Sequence, residues 1–253
     1  MPKQSLGDLP PKFDLKFLLL GRPGTGKTHF TATYSKGPVH YYMLDPGGEK
    51  TVRKVSRELG IPMENYSIDY FNDPSKVGYS DFWKQLQKDD KDGFFDDMAS
   101  KSGMVVFDSF TKISQLILQD VARRNSRTVL TDEKPMRIQD WGQITAWTRQ
   151  LVSVIDVLPC AVSVTCHLVA ETDSSGGVIG EYPSVIGGSR YTLANDFDEV
   201  YRLESVGKNY KFHFRGSSVF EAKSRVVSEA FANNIQMNDL YEAYVNNKAL
   251  TSR

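Results

Sequence analysis

The sequence predicts a three-layer α/β fold: a largely parallel sheet with helices on both faces and a β-rich C-terminal part. Three observations point there. Short apolar runs alternate with stretches of helical periodicity through most of the chain, the pattern of successive strand–helix–strand units. A Gly-rich turn, G-R-P-G-T-G-K-T, joins the first apolar run to the first helix-compatible stretch. Beyond residue 200 the helical period gives way to further strand-like runs.

Taken in order, residues 16–20 form a strand, and after the Gly-rich turn a helix runs through Tyr34 and stops at Gly37 and Pro38. A second strand, 39–44, leads into the turn Asp45-Pro46-Gly47-Gly48 and a helix over 49–59, closed by Gly60 with Pro62 just beyond. Residues 66–71 read as a short strand, 79–88 as a helix and 89–102 as a polar stretch. The apolar strand 104–108 precedes a helix over 109–125, whose spacing puts Ile113, Leu116, Ile117, Asp120 and Val121 on one mainly apolar face. The polar segment 128–139, with Pro135, reads as a loop; a helix over 140–157 turns Trp141, Ile144, Trp147, Leu151, Val154 and Ile155 inward and ends at Pro159. A strand at 160–166, a Gly-rich region at 170–189, strands at 200–203, 210–214 and 219–222, and a helix at 237–245 complete the chain. The 253 residues are expected to form one domain, with a core over 13–226 and a helical tail over 227–253.

The composition, 40% hydrophobic and 25% charged, is that of an ordinary soluble globular protein. Lysine plus arginine and aspartate plus glutamate are equal at 31 each, so nucleic-acid binding has to rest on a local patch rather than on global charge. No apolar run approaches the roughly 20 residues that span a bilayer, and residues 1–11 do not read as a signal peptide; a cytoplasmic protein with no membrane contact is expected. Cys160 and Cys166 fall on the same face of one strand, where a disulfide between them is geometrically disfavoured. With His167 they match no zinc spacing.

The turn carries the clearest chemistry. Gly21, Arg22, Pro23, Gly24, Thr25, Gly26, Lys27 and Thr28 fill every position of a phosphate loop, and His29 follows directly. The glycines let backbone N–H groups converge on a phosphate. Lys27 supplies a point charge to the β- and γ-phosphates of a nucleoside triphosphate, ATP, and the Thr28 hydroxyl is an oxygen ligand suited to Mg²⁺. Asp108, ending an apolar strand expected beside the phosphate-loop strand, is the second ligand for Mg²⁺; its alternative role is to cap the helix that follows.

Four segments together resemble the RecA-like P-loop ATPase core: the phosphate loop, V-V-F-D-S at 105–109, T-C-H at 165–167 and F-D-E-V-Y-R-L at 197–203. More narrowly, they resemble the phage single-strand-annealing ATPases related to RadA recombinases. The resemblance spans residues 16–225 and implies several roles. His167 occupies the place of the polar residue that senses the γ-phosphate, against the alternative of a strand-end histidine bonded to a carbonyl. The Gly-rich span 171–190 occupies the place of the loops that face single-stranded DNA, with Tyr182 and Tyr191 available to stack on bases; a plain β-hairpin is the alternative. Phosphate attraction would come from Arg123, Arg124, Arg127, Lys134 or Arg137.

Lys223 and Arg225, in A-K-S-R, are similar to a strand end of DnaB-type hexameric helicases whose cations reach the neighbouring subunit's γ-phosphate. This implies a homo-oligomer with nucleotide sites at subunit boundaries, against the alternative of an unspecific basic cluster. The sequence departs from the recombinases where they carry a water-activating glutamate two residues beyond an acidic strand end. Gly47 stands two residues beyond Asp45, and the nearest glutamate is Glu49, which is open to that role or to capping its own helix. The reading is a phage RecA-like Mg²⁺-dependent ATPase acting on single-stranded DNA in recombination or annealing. A helicase-like or DNA-packaging motor, and a nucleotide-gated assembly or regulatory protein without DNA, stay open beside it.

Overall fold

The computed structural model describes residues 13–71, 73, 78–129 and 134–250. Six parallel strands carry the fold: β1 (Lys16–Leu20), β2 (Val39–Met43), β3 (Tyr66–Tyr70), β4 (Met104–Asp108), β5 (Ala161–Cys166) and β8 (Glu199–Val206). Between β5 and β8 the chain makes a separate antiparallel hairpin, β6 (Leu168–Thr172) and β7 (Val178–Pro183). Two antiparallel strands, β9 (Asn209–His213) and β10 (Phe231–Asn233), extend the sheet, whose order is β10-β9-β8-β1-β5-β4-β2-β3. β5 therefore lies between β1 and β4, which corrects the expectation that the Asp108 strand adjoins the phosphate-loop strand.

Alternation along the strands feeds two cores, because successive side chains leave a strand on opposite faces. Leu18 and Leu20 of β1 join one apolar cluster, and Phe17 and Leu19 join the other. The first cluster is covered by α3 (Tyr79–Lys91), α4 (Phe94–Ser100), α5 (Phe110–Arg124) and α6 (Ile138–Val157); the second by α1 (Lys27–Ala32), α2 (Gly48–Leu59) and α7 (Met237–Val245). Helices on both faces of a mainly parallel sheet give the three-layer α/β core expected. Cys160 and Cys166 sit in the same cluster without a disulfide.

Several details depart from the expectations. Helix α4 lies inside the stretch 89–102; its two buried anchors, Phe95 and Met98, are outnumbered by acidic and small neighbours that hide the helical period. Asp120 on the apolar face of α5 is buried because its Oδ2 accepts hydrogen bonds from the Ser80 N–H at 2.8 Å and the Ser80 hydroxyl at 2.6 Å, fixing the first turn of α3. Trp141 does not turn inward: α6 begins at Ile138, and Trp141 stays 42% exposed on the outer side. Residues 219–222 form no strand. β9 covers β8 from Arg202 to Val206, so the passing segment finds just the start of β8 open and makes two isolated bridges, Phe220 to Glu181 of β7 and Lys223 to Val200. The stretch beyond 226 is not helix alone, since β10 precedes α7 and pairs with β9. Among the described residues no helix is long and apolar enough to cross a membrane.

Candidate functional site

The C-terminal ends of β1, β2, β4 and β5 open onto one cleft of about 450 Å³. Its lining includes Pro23, Gly24, Gly26, Lys27, Thr28 and His29 from the loop after β1, Asp45 to Gly48 from the turn after β2, Asp108 from β4 and His167 from the end of β5. This is where open α/β sheets hold ligands.

The loop conformation depends on its glycines. Gly24 and Gly26 have φ of 80° and 87°, and a Cβ on Gly26 would come within 2.9 Å of the Tyr210 ring. Lys27 is 6% exposed, with its ammonium folded back on its own loop. It donates to the carbonyls of Gly21 at 2.7 Å and Arg22 at 3.1 Å, and lies 3.4 Å from His167 Nδ1. Burial pulls its pKa below the ordinary lysine value, partly offset by the Asp108 charge.

Asp108 is buried at the floor, where both oxygens accept hydroxyl hydrogen bonds: from Thr28 Oγ1 at 2.8 Å and from Thr165 Oγ1 at 2.5 Å. Burial raises its carboxyl above the usual carboxylate range, although both hydroxyls favour the anion. Asp45, ending the run after β2, lies 3.4 Å from His167 Nε2. Burial opposes ionisation of Asp45, yet its hydrogen bonds, His167 foremost, hold the carboxyl below its ordinary value. An ammonium can only donate, so His167 Nδ1 is the acceptor toward Lys27 and Nε2–H faces Asp45. The histidine thus spans the phosphate loop and the turn after β2. The His167 backbone N–H donates to Thr111 Oγ1 at 3.0 Å, anchoring the strand end to α5.

Glu49 sits in the first turn of α2, outside the lining of the cleft, with Oε2 buried and without a partner among the described residues. The carboxylates lining the cleft are Asp45 and Asp108. Asp45 was legible as an acidic strand end, but no role was expected of it. Thr165 and Tyr210 were missed as well: Thr165 is the middle residue of T-C-H, and Tyr210 on β9 reaches the loop only because the sheet brings β9 near β1. Tyr210 lines the cleft and lies 5.4 Å, ring to ring, from His29.

Lys223 and Arg225 are not brought into this cleft. Lys223 pairs with Val200 near the start of β8, and its Nζ donates to the Asn195 carbonyl at 3.2 Å. Arg225 pairs with Asp198, just before β8, at 2.9 Å. Both belong to the edge of the sheet opposite the phosphate loop, since β8 runs parallel to β1.

The Gly-rich span takes the hairpin alternative. β6 and β7 pair from Leu168–Pro183 outward, and Asp173 closes the tip by accepting from the N–H groups of Ser175 and Gly177, both at 2.9 Å. At its base, Glu181 binds Arg202 at 2.7 Å and Arg22 of the phosphate loop at 3.4 Å. Tyr182 meets Tyr191 edge-on, and Arg190 lies over the Tyr191 ring at 4.7 Å. Of the cations expected to attract phosphate, Arg123 pairs with Asp120 and Arg127 with Asp140.

Residues 14–226 match the AAA domain family. The chain belongs to this family. No curated protein matches the AAA-domain chain. Among solved structures it is similar to an ATPase from the type III secretion system of pathogenic bacteria, at 12% identity and a TM-score of 0.44 over 76% of this chain and 52% of that one. It therefore spans about half the length of that relative. An AAA domain of the P-loop ATPase type binds nucleotide, and the cleft described here has the loop, lysine and buried carboxylate that such binding needs. The donors also fit Mg²⁺: a threonine hydroxyl and a carboxylate, all oxygen, meet within 2.8 Å at the mouth of the loop.

Proposed function

We propose that this AAA-domain protein is a Mg²⁺-dependent ATPase that assembles into a homo-oligomer and acts on single-stranded DNA in annealing or recombination. The observation that carries the reading is the continuity of His167: its imidazole lies between Lys27 and Asp45, and the next residue, Leu168, begins the hairpin. A change at the phosphate loop therefore has a covalent route of one residue into the element offered to DNA.

Gly21 to Thr28 enclose the triphosphate, with Lys27 exchanging its carbonyl partners for phosphate oxygens. Thr28 and Asp108 hold Mg²⁺, which neutralises phosphate charge when bound. Asp45, facing the cleft and kept anionic by His167, orients the attacking water in place of Glu49. Arg190, Tyr182 and Tyr191 form the hairpin's contact with DNA. Arg225 and Lys223, remote from their own cleft, are left to complete a neighbour's site.

The test measures ATP turnover with and without single-stranded DNA while recording particle mass. Stimulation by DNA together with growth in mass supports the reading; a monomer indifferent to DNA refutes it. Mixing Arg225→Ala subunits with Lys27→Ala subunits examines the shared site separately. Recovered turnover in the hybrids is expected, and none would remove the role across subunits.

A further inference from the structure

On the face covered by α3, α5 and α6, a pocket of about 190 Å³ is lined by Tyr79, Ser80, Trp83, Arg124, Trp147 and Gln150. It shares no residue with the nucleotide cleft. The Tyr79 ring stacks on Trp147, 5.6 Å between centroids at 21°, and Trp83 lies 6.0 Å from Tyr79. The Arg124 guanidinium sits 4.8 Å from the centre of the Trp147 ring and donates to Ser80 Oγ at 2.9 Å.

These rings do more than fill a core. Trp83 and Trp147 remain partly accessible at the surface, where they adjoin the exposed Arg124 and Gln150. The guest that suits them is flat, aromatic and attached to negative charge. An aromatic side chain of a protein would meet the rings but offer the guanidinium no anion.

We propose that this pocket seats one base of a single-stranded nucleic acid. The base packs against the accessible parts of the Trp83 and Trp147 indoles, and Arg124 meets the adjoining phosphate. Stacking of this kind tolerates any base, because every base presents a flat face. The site is separate from the hairpin and rests on the single-strand reading above for its ligand.

The test uses the full chain with Trp141→Phe, which leaves Trp83 and Trp147 as the emitting residues of the three tryptophans. It is titrated with a fluorescein-labelled oligothymidylate, following anisotropy and tryptophan emission from unlabelled oligonucleotide in parallel. Emission is expected to quench on binding. Trp147→Leu and Arg124→Gln should each weaken binding by roughly 5- to 100-fold. Arg190→Ala should weaken binding while leaving the quench at saturation. Unchanged affinity in the pocket variants with no quench in the parent would overturn this site and leave the single-strand reading standing. No oligonucleotide binding by the parent would overturn both. Kept affinity with reduced particle mass in Trp147→Leu would assign the pocket to a second copy of the chain and overturn its nucleic-acid role.

Discussion

Two cations at opposite edges of one sheet are held in opposite ways. At the C-terminal edge Lys27 is 6% exposed and held by two carbonyls, close to an imidazole; at the other edge the Arg225 side chain is 73% exposed and meets a single aspartate. Burial sharpens electrostatics, because a charge shielded from water acts through a lower effective dielectric and has fewer orientations to choose from. Lys27 is thus aimed before any ligand arrives. Arg225 is screened by water, and in the proposed assembly the contact that completes it comes from a neighbouring subunit. On that proposal, chemistry within one subunit is preorganised, whereas chemistry shared between subunits waits for assembly.

The sharpest way to break this contrast is Lys27→Ala. Loss of a preorganised donor at the phosphates should lower ATP turnover by about 10²–10³-fold, measured at saturating nucleotide with folding checked by circular dichroism; near-normal turnover would mean that the buried edge is not the catalytic one. Thr165→Val comes next. It keeps the side-chain shape but leaves Asp108 Oδ1 without its hydroxyl, and should cost about 1–3 kcal/mol in urea unfolding. A variant as stable as the parent would deny Asp108 its buried network.

Asp45 sharpens the comparison through pH. Its folded-state carboxyl is held below the ordinary value, so the stability it contributes is complete above the unfolded value of about 4 and is lost as pH falls through the depressed one. The stability gap between the parent and Asp45→Asn should therefore shrink as pH falls below about 4. Urea midpoints measured below that pH decide, and a gap that widens there would contradict the lowered carboxyl. The smallest effect belongs to Arg225→Ala, which should change the stability of the isolated subunit by no more than about 1 kcal/mol, as exposed ion pairs do. A larger loss in thermal unfolding would show that Arg225 serves its own fold.

Legibility in the sequence followed the same division. The phosphate loop, Asp108 and His167 were readable because each is a local arrangement, a glycine turn or a polar residue ending an apolar strand. Both β2 and β5 were readable for a like reason, as short apolar runs between helices. Thr165, Tyr210 and Glu181 were not, since their partners are brought to them by strand order: Asp108 meets Thr165 only because β5 intervenes between β1 and β4. Residues 219–222 were read as a strand because their apolar members have the right composition, while the length of β9, which leaves so little of β8 open, is a tertiary fact. Trp141 was turned inward by counting apolar residues, yet α6 has enough others to fill its inner face. Glu49 was favoured for its residue type, and the turn places the shorter Asp45 at the opening instead.

Glu181 divides its two oxygens between Arg22 and Arg202, and is itself 6% exposed. An incoming anion that draws Arg22 away would strip the carboxylate of half its counter-charge in a place where water cannot make up the loss. The acid at the hairpin's root would then rest on Arg202 alone, and its seating against β8 would become a gauge of how full the neighbouring loop is.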